Sequence, residues 1–484
     1  MLATLPLAVR RILTHSAGLY VRALFAIGAA VAVFFVLSYS ATFVSREQIA
    51  SNLERANAQH SFGQTYAPWT GRAIPRFTVN DCAFLTFLLQ DYPSRIAETV
   101  SARIPNFDLY APGGATYPTV PSCLQLIASL DRPDHADPQA RWYHRYLHGQ
   151  RIFARLALAL VSPDALGEIT LTLNVLVLLS VLMPALWRLR ARGSDFVRQA
   201  GFAAIAATLL LFDGLWLFGI YFSHGASDLV LSTFAAYAYY RGAASAPERT
   251  FVVGVALFGV ATAVFEYLTG GVPFGLALLL GIVALDGPAD PTALMRRAWH
   301  GSVIFGLAIL LTFAIKIALV ALLVDATVLS DFASGLSARV GNTFVAALPP
   351  KEVEWVSSFG IDVSSLERHW ILSVLYMLAR LGYASFVIGY GSVILGIALI
   401  GTAVVATAVL FIKQAFRARD PVAQTRLAIL LGSALAMPVW SVVFLNHTLL
   451  HAIWMVRPFG WYVALAGILV CWRAGSVQAE RGSR

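Results

Sequence analysis

Long apolar runs follow one another along this chain, and their length constrains the fold more than any other feature. A helix that crosses a bilayer needs about 17–25 apolar residues, and we count about ten such runs. They start near Ala23, Glu168, Gly201, Ala226, Thr250, Gly271, Gly301, Ile388, Leu427 and Pro458. Lipid offers no hydrogen-bond partner to an open backbone, so each run must be helical. Charge supports the same conclusion. Only 13% of the 484 residues are charged, against about a quarter in a soluble domain. Side chains so poor in charge cannot cover a globule of this size in water. Soluble enzymes, disordered tails, fibrous proteins and small disulfide scaffolds are excluded. The expected fold class is all-α, a polytopic helical membrane protein.

The formal net charge is +9, from 35 Lys and Arg against 26 Asp and Glu. Cationic loops that set membrane orientation explain this balance, and no nucleic-acid partner is expected. Arg10, Arg11 and Arg22 precede the first run. That run is too long for the apolar part of a cleaved leader, so it reads as a retained span. Arg188, Arg190, Arg192 and Arg198, then Arg241 and Arg249, then Arg296 and Arg297, then Lys413, Arg417, Arg419 and Arg426 occupy every second connection. The alternation predicts an even number of spans with both termini in the cytoplasm. Residues 1–44 then hold the N-terminus and first span, and 45–167 form a long external segment. Residues 168–324 hold spans two to seven, 325–387 a second external segment, and 388–484 the last three spans and tail. The stretch from Trp370 to about Tyr383 does not fit this alternation as a span. It is assigned to an interfacial or re-entrant helix on the outer face.

Cys82 and Cys123 both lie in the long external segment and can close it as a disulfide in an oxidising compartment. No spacing rule settles their distance. Cys471, near the inner end of the last span, reads as a packing residue.

Ionisable groups inside a membrane are costly and gather where function needs them. Asp213 falls late in span three. His224 and Asp228 flank the turn before span four. Glu266 ends span five, and Lys316 lies in the outer half of span seven. His447 and His451 follow span nine, and Arg457 precedes span ten. Asp81, His144, Arg145 and His148 belong to the first external segment. All fall at the same, outer, face. Each also has a plain explanation. Asp213 and Lys316 can neutralise each other between helices. Glu266 precedes a tight Gly270-Gly271 turn, where exposure alone accounts for a carboxylate. Asp81 opens a short helix over 78–89, with Asn80 at its cap position, and complements that helix's dipole. His144 with His148, and His447 with His451, stand four apart and would share a helix face, which suits a metal. Arg145 and Arg457 beside them favour an anion instead, since the guanidinium fork matches phosphate.

Four stretches carry a family resemblance: FTVNDCAF at 77–84, WYHRYLHG at 142–149, FEYLT at 265–269 and NHTLLHAIWMVR at 446–457. With the span layout, they make the chain resemble polytopic bacterial glycosyltransferases of the GT-C type. The likeness covers most of the chain in layout and only these stretches in residues. It implies an inner-membrane enzyme with its active site facing the periplasm. Such an enzyme moves a sugar from a polyprenyl-phosphate donor to a glycan, lipid or protein acceptor. Asp81 is then expected as general base. Arg145, Arg457, His447 and His451 are expected to hold the phosphate. Asp213, Asp228, Glu266 and Lys316 would orient sugar hydroxyls or the phosphate, and His144, His148 and His224 complete the substrate-binding set. Many family members carry an adjacent acidic pair in the first external loop, whereas this chain has Asn80-Asp81. A divalent metal ion is therefore left open, and no other cofactor is expected.

Rival readings are a transporter or flippase of lipid-linked saccharide, an O-antigen polymerase or ligase, a di-iron membrane oxidase and a membrane scaffold. Transporters usually show internal repeats and midplane polar sites, and neither is seen here.

Overall fold

The computed structural model describes residues 7–482 except 60, 63, 68–71, 76–78, 105–120, 133–135, 137–139, 145, 191–194, 243–245, 267–269, 341–353, 355–356 and 359–362. Among the described residues, nine helices are long and apolar enough to cross a membrane. The chain is thus an all-α, multi-pass membrane protein.

The first helix, α1, spans Leu7–Ala41. The bundle continues with α7 (Pro163–Leu189), α8 (Phe196–Leu211), the short α9 (Leu215–Phe218), α10 (Phe222–Arg241), α11 (Glu248–Phe265), α12 (Gly271–Asp286) and α13 (Pro291–Leu323). Three long helices begin with one local device. Ser162, Asp290 and Asp420 cap the backbone N–H of Ala165, Ala293 and Ala423, and a proline follows each cap. A side-chain oxygen there satisfies an orphan donor, and proline at the first helical position sacrifices no bond. Two expected spans are helices outside the nine. Helix α10 carries Ser223, His224, Ser227, Asp228 and Ser232, which lower its hydropathy. Helix α12 has only 16 residues.

A single apolar core joins α1, α7, α8 and α10–α13 to two later helices, Pro421–Val443 and Trp461–Gly482. Phe25, Trp187, Leu322 and Ile394 are among many large apolar side chains left exposed. An apolar exterior is what a lipid-facing bundle requires.

Between α1 and α7 the connecting segment forms a small domain with its own core. It contains α2 (Arg46–Ala58), a hairpin of β1 (Gln64–Ala67) and β2 (Arg72–Pro75), α3 (Val79–Leu89), α4 (Arg95–Val100), β3 (Ala102–Ile104), α5 (Pro121–Leu130), β4 (Arg141–Tyr143) and α6 (Gln150–Leu158). Strands β3 and β4 pair antiparallel with Arg103 opposite Trp142. Cys82 of α3 and Cys123 of α5 are disulfide-bonded, with Cα atoms 5.0 Å apart. Helix α3 begins at Val79, so Asn80 lies inside its first turn and not at the cap position.

After α13 come α14 (Val328–Val340), α15 (Val363–Arg368), α16 (Trp370–Ala384), α17 (Val393–Ala415), α18 (Pro421–Val443), α19 (Leu445–Leu450), α20 (Ala452–Met455) and α21 (Trp461–Gly482). With the turn Ser385–Val387 that follows it, α16 is long and apolar enough to cross a membrane. Its buried residues Tyr376, Met377, Leu381 and Ala384 share a cluster with Leu217, Tyr221, Leu445, Leu449 and Met455. Beyond its end, Trp216 Nε1 donates to Val387 O at 3.1 Å and Tyr390 Oη donates to Leu211 O at 2.9 Å.

Candidate functional site

The turn from α8 into α10 places two carboxylates on one cation. Helix α8 closes with the Asp213 N–H on Thr208 O, and Gly214 takes a left-handed backbone (φ 76°) that redirects the chain. A side chain would be strained at that angle. Arg457 opens the short turn Arg457–Gly460 before α21. Its Nε donates to Asp213 O at 2.5 Å, and its Nη2 donates to Asp213 Oδ2 at 3.2 Å and to Asp228 Oδ1. All three residues are buried. Asp213 therefore pairs with Arg457, and the Asp213–Lys316 pair open to the sequence reading does not form.

Glu266 joins this group from the end of α11. Its Oε2 accepts from Ser227 Oγ at 2.5 Å. The Gly270-Gly271 turn makes room for it. A Cβ on Gly271 would stand 2.2 Å from Glu266 Oε2, and Gly270 has φ +112° with Pro458 pressed against it. Glu266 is buried, so exposure does not account for this carboxylate. Tyr267 to Thr269 of the same motif lie outside the described residues.

The histidines of the later helices complete the wall. His224 stacks on Trp454 with ring centroids 3.5 Å apart. The His447 and His451 rings lie 4.6 Å apart, as four-residue spacing at the end of α19 predicts. His451 and Trp454 are half-buried, whereas His224, His447 and Arg457 are buried. Asp213, His224, Asp228, Glu266, His447, His451 and Arg457 thus meet at one end of the bundle.

The remaining predicted residues form an adjoining group where the small domain between α1 and α7 docks. Lys316 of α13 is buried and donates to the carbonyl oxygens of His144 and Tyr146. His144 is buried, with Nδ1 2.8 Å from Ser101 Oγ. His148 has a positive φ of 59°. Its ring lies between Phe84, Phe87 and Tyr143, with centroids 5.3 to 5.4 Å away. These two histidines follow a strand and not a helix, so they are not a helical metal-binding pair. Burial, then the charge of Lys316, lowers the His144 imidazole below its ordinary value. Burial, with Lys316 and Arg151 nearby, holds His148 well below it. Arg145 lies outside the described residues.

Asp81 links the two groups. It is fully buried. Its Oδ1 accepts the backbone N–H of Ser223 at 3.0 Å. Beside it, Gln150 Nε2 donates to Ser223 O at 3.0 Å and to Phe265 O at 2.5 Å. The sequence reading missed Gln150, Ser223, Ser227 and Trp454. Gln150 directly follows the WYHRYLHG stretch, and Trp454 lies inside NHTLLHAIWMVR, so the motifs held a usable signal. The two serines held none.

Among the described residues, no three His, Cys, Asp or Glu side chains converge as metal ligands. Asp213 and Asp228 face a guanidinium instead. Among the described residues this donor set does not fit a divalent ion.

Fold and site together define a multi-pass helical membrane protein with a buried acid, base and imidazole cluster at one end of its bundle. No family model, curated protein or solved structure matches the chain.

Proposed function

We propose that the chain is a membrane glycosyltransferase of the bacterial inner membrane. It moves a sugar from a polyprenyl-phosphate donor to a glycan, lipid or protein acceptor on the periplasmic face. One observation carries this reading. Asp228 is buried beside the Asp213 carboxyl, Arg457 binds its Oδ1, and apart from that neighbouring carboxyl its Oδ2 has no hydrogen-bond partner among the described residues. A buried acceptor atom normally has a partner, so a substrate hydroxyl is a natural occupant.

In the proposed reaction the acceptor O–H bond breaks and its proton passes to Asp228 Oδ2. The oxygen's electron pair forms the new bond to the anomeric carbon. The bond from that carbon to the phosphate oxygen breaks, and its electron pair leaves with the polyprenyl phosphate. Negative charge grows on the phosphate as the sugar departs. His447 and His451 supply N–H donors to it, and Arg457 supplies positive charge close by. The Trp454 ring, backed by His224, offers an apolar platform to a sugar face. The lipid tail remains in the bilayer beside α16.

Reconstituted protein given labelled polyprenyl-phosphate sugar tests the reading. Transfer by the wild type and none by Asp228→Asn supports it. Movement of the intact donor between leaflets without transfer would replace it with a flippase. Full transfer by Asp228→Asn would remove the proposed base.

A further inference from the structure

Helix α10 carries His224 and Asp228, yet it lacks a cap of its own. Its cap residue is Tyr221, which makes no side-chain cap hydrogen bond, and its first turn holds no acidic residue. The first N–H groups of any helix need partners from outside it, and a carboxylate there also complements the helix dipole. Asp81 meets both needs from 142 residues away, by accepting the Ser223 N–H. The opposite side of the same residue is held as well, because Gln150 donates to Ser223 O. Both contacts come from the small domain between α1 and α7. Asp81 adjoins Cys82, whose disulfide to Cys123 fixes α3 against α5. Further along α10, Asn174 Nδ2 donates to Gly225 O at 2.8 Å. The first turn of α10 is therefore held in place by its neighbours.

We propose that Asp81 is a positioning residue. From the disulfide-closed domain it caps α10 in trans and so sets His224 and Asp228 in the site. This differs from a proton-abstracting Asp81, and the two roles separate on one substitution. Asparagine caps a helix about as well as aspartate does, whereas alanine does not. A base, by contrast, is lost with asparagine.

The experiment compares wild type, Asp81→Asn and Asp81→Ala in lipid nanodiscs. Amide hydrogen exchange is followed across 221–228 and, as a reference, across α12. Loss of a cap worth about 1 kcal/mol corresponds to roughly fivefold faster exchange. Asp81→Ala should show that acceleration in 221–228 only. Asp81→Asn should stay within about twofold of wild type. Equal acceleration in both variants, or none in Asp81→Ala, overturns the inference.

A second arm measures sugar transfer and rests on the proposed function. Asp81→Asn should keep kcat and its pH profile, and Asp81→Ala should lower kcat. If Asp81→Asn keeps its protection yet loses all transfer, Asp81 is the base and the positioning role falls. If wild type transfers nothing while the exchange pattern holds, the transferase reading falls and the cap stands.

Discussion

Arg457 pairs with Asp228 inside the bundle, and the same Nη2 atom also reaches Asp213. A guanidinium between two buried carboxylates stabilises only while all three remain. Removing one partner leaves an uncompensated buried charge, which costs roughly 3–5 kcal/mol. Arg457→Met should therefore destabilise the protein by about that amount. The triple variant Arg457→Met, Asp213→Asn, Asp228→Asn should recover much of the loss. Arg457→Lys should not restore it, since an ammonium cannot reproduce the fork. Chemical denaturation in detergent, followed by far-UV circular dichroism, checks the order of the four proteins.

The buried His148 predicts a dependence on acid. Burial first, then Lys316 and Arg151, holds its imidazole well below the ordinary value of 6.5. The ring is neutral in the folded protein, and protonation favours the unfolded chain. Its contribution is complete above about pH 6.5 and is lost as pH falls below that value toward the folded-state one. Melting temperature should fall between about pH 7 and about pH 5. His148→Asn should flatten that fall, because asparagine tolerates the left-handed backbone and does not titrate. An equal fall in both proteins would contradict this account.

The disulfide predicts a loss of stability. Cys82 and Cys123 are separated by 41 residues. On the loop-entropy account, a closed loop of that length contributes roughly 4 kcal/mol. Cys82→Ser with Cys123→Ser should lower the stability of the small domain between α1 and α7 by about that much. Limited proteolysis should then cut within α3 to α5, while the membrane helices stay intact.

The bundle and its polar end were legible in the sequence, but the partners were not. A hydropathy pattern reports how deep Asp213 and Lys316 lie along their helices. It does not report the direction in which each faces. Asp213 therefore seemed able to meet Lys316, although its partner Arg457 stands 244 residues away. The four-residue rule succeeded for His447 and His451, which lie at the end of a helix. It failed for His144 and His148, because Gly149 comes after an extended stretch and His148 turns left-handed. Glu266 read as an exposed turn residue. Its burial depends on two glycines that let Pro458 and the carboxylate pack closely, and only the fold brings these together.

Lys316 provides the last prediction. It donates to the carbonyls of His144 and Tyr146, and so fastens the segment after β4 of the small domain to α13. Lys316→Met keeps the apolar stem and removes the donors. Each buried carbonyl left without a partner costs about 1–3 kcal/mol. The variant should lose roughly 2–4 kcal/mol and show faster amide exchange across 142–150. A cycle with Asp213→Asn separates this role from a direct ion pair. Residues that share no partner add within about 0.5 kcal/mol. The cycle of Lys316→Met and Asp213→Asn should therefore be additive, whereas that of Arg457→Met and Asp213→Asn should couple strongly. Strong coupling between Lys316 and Asp213 would mean that the two touch after all.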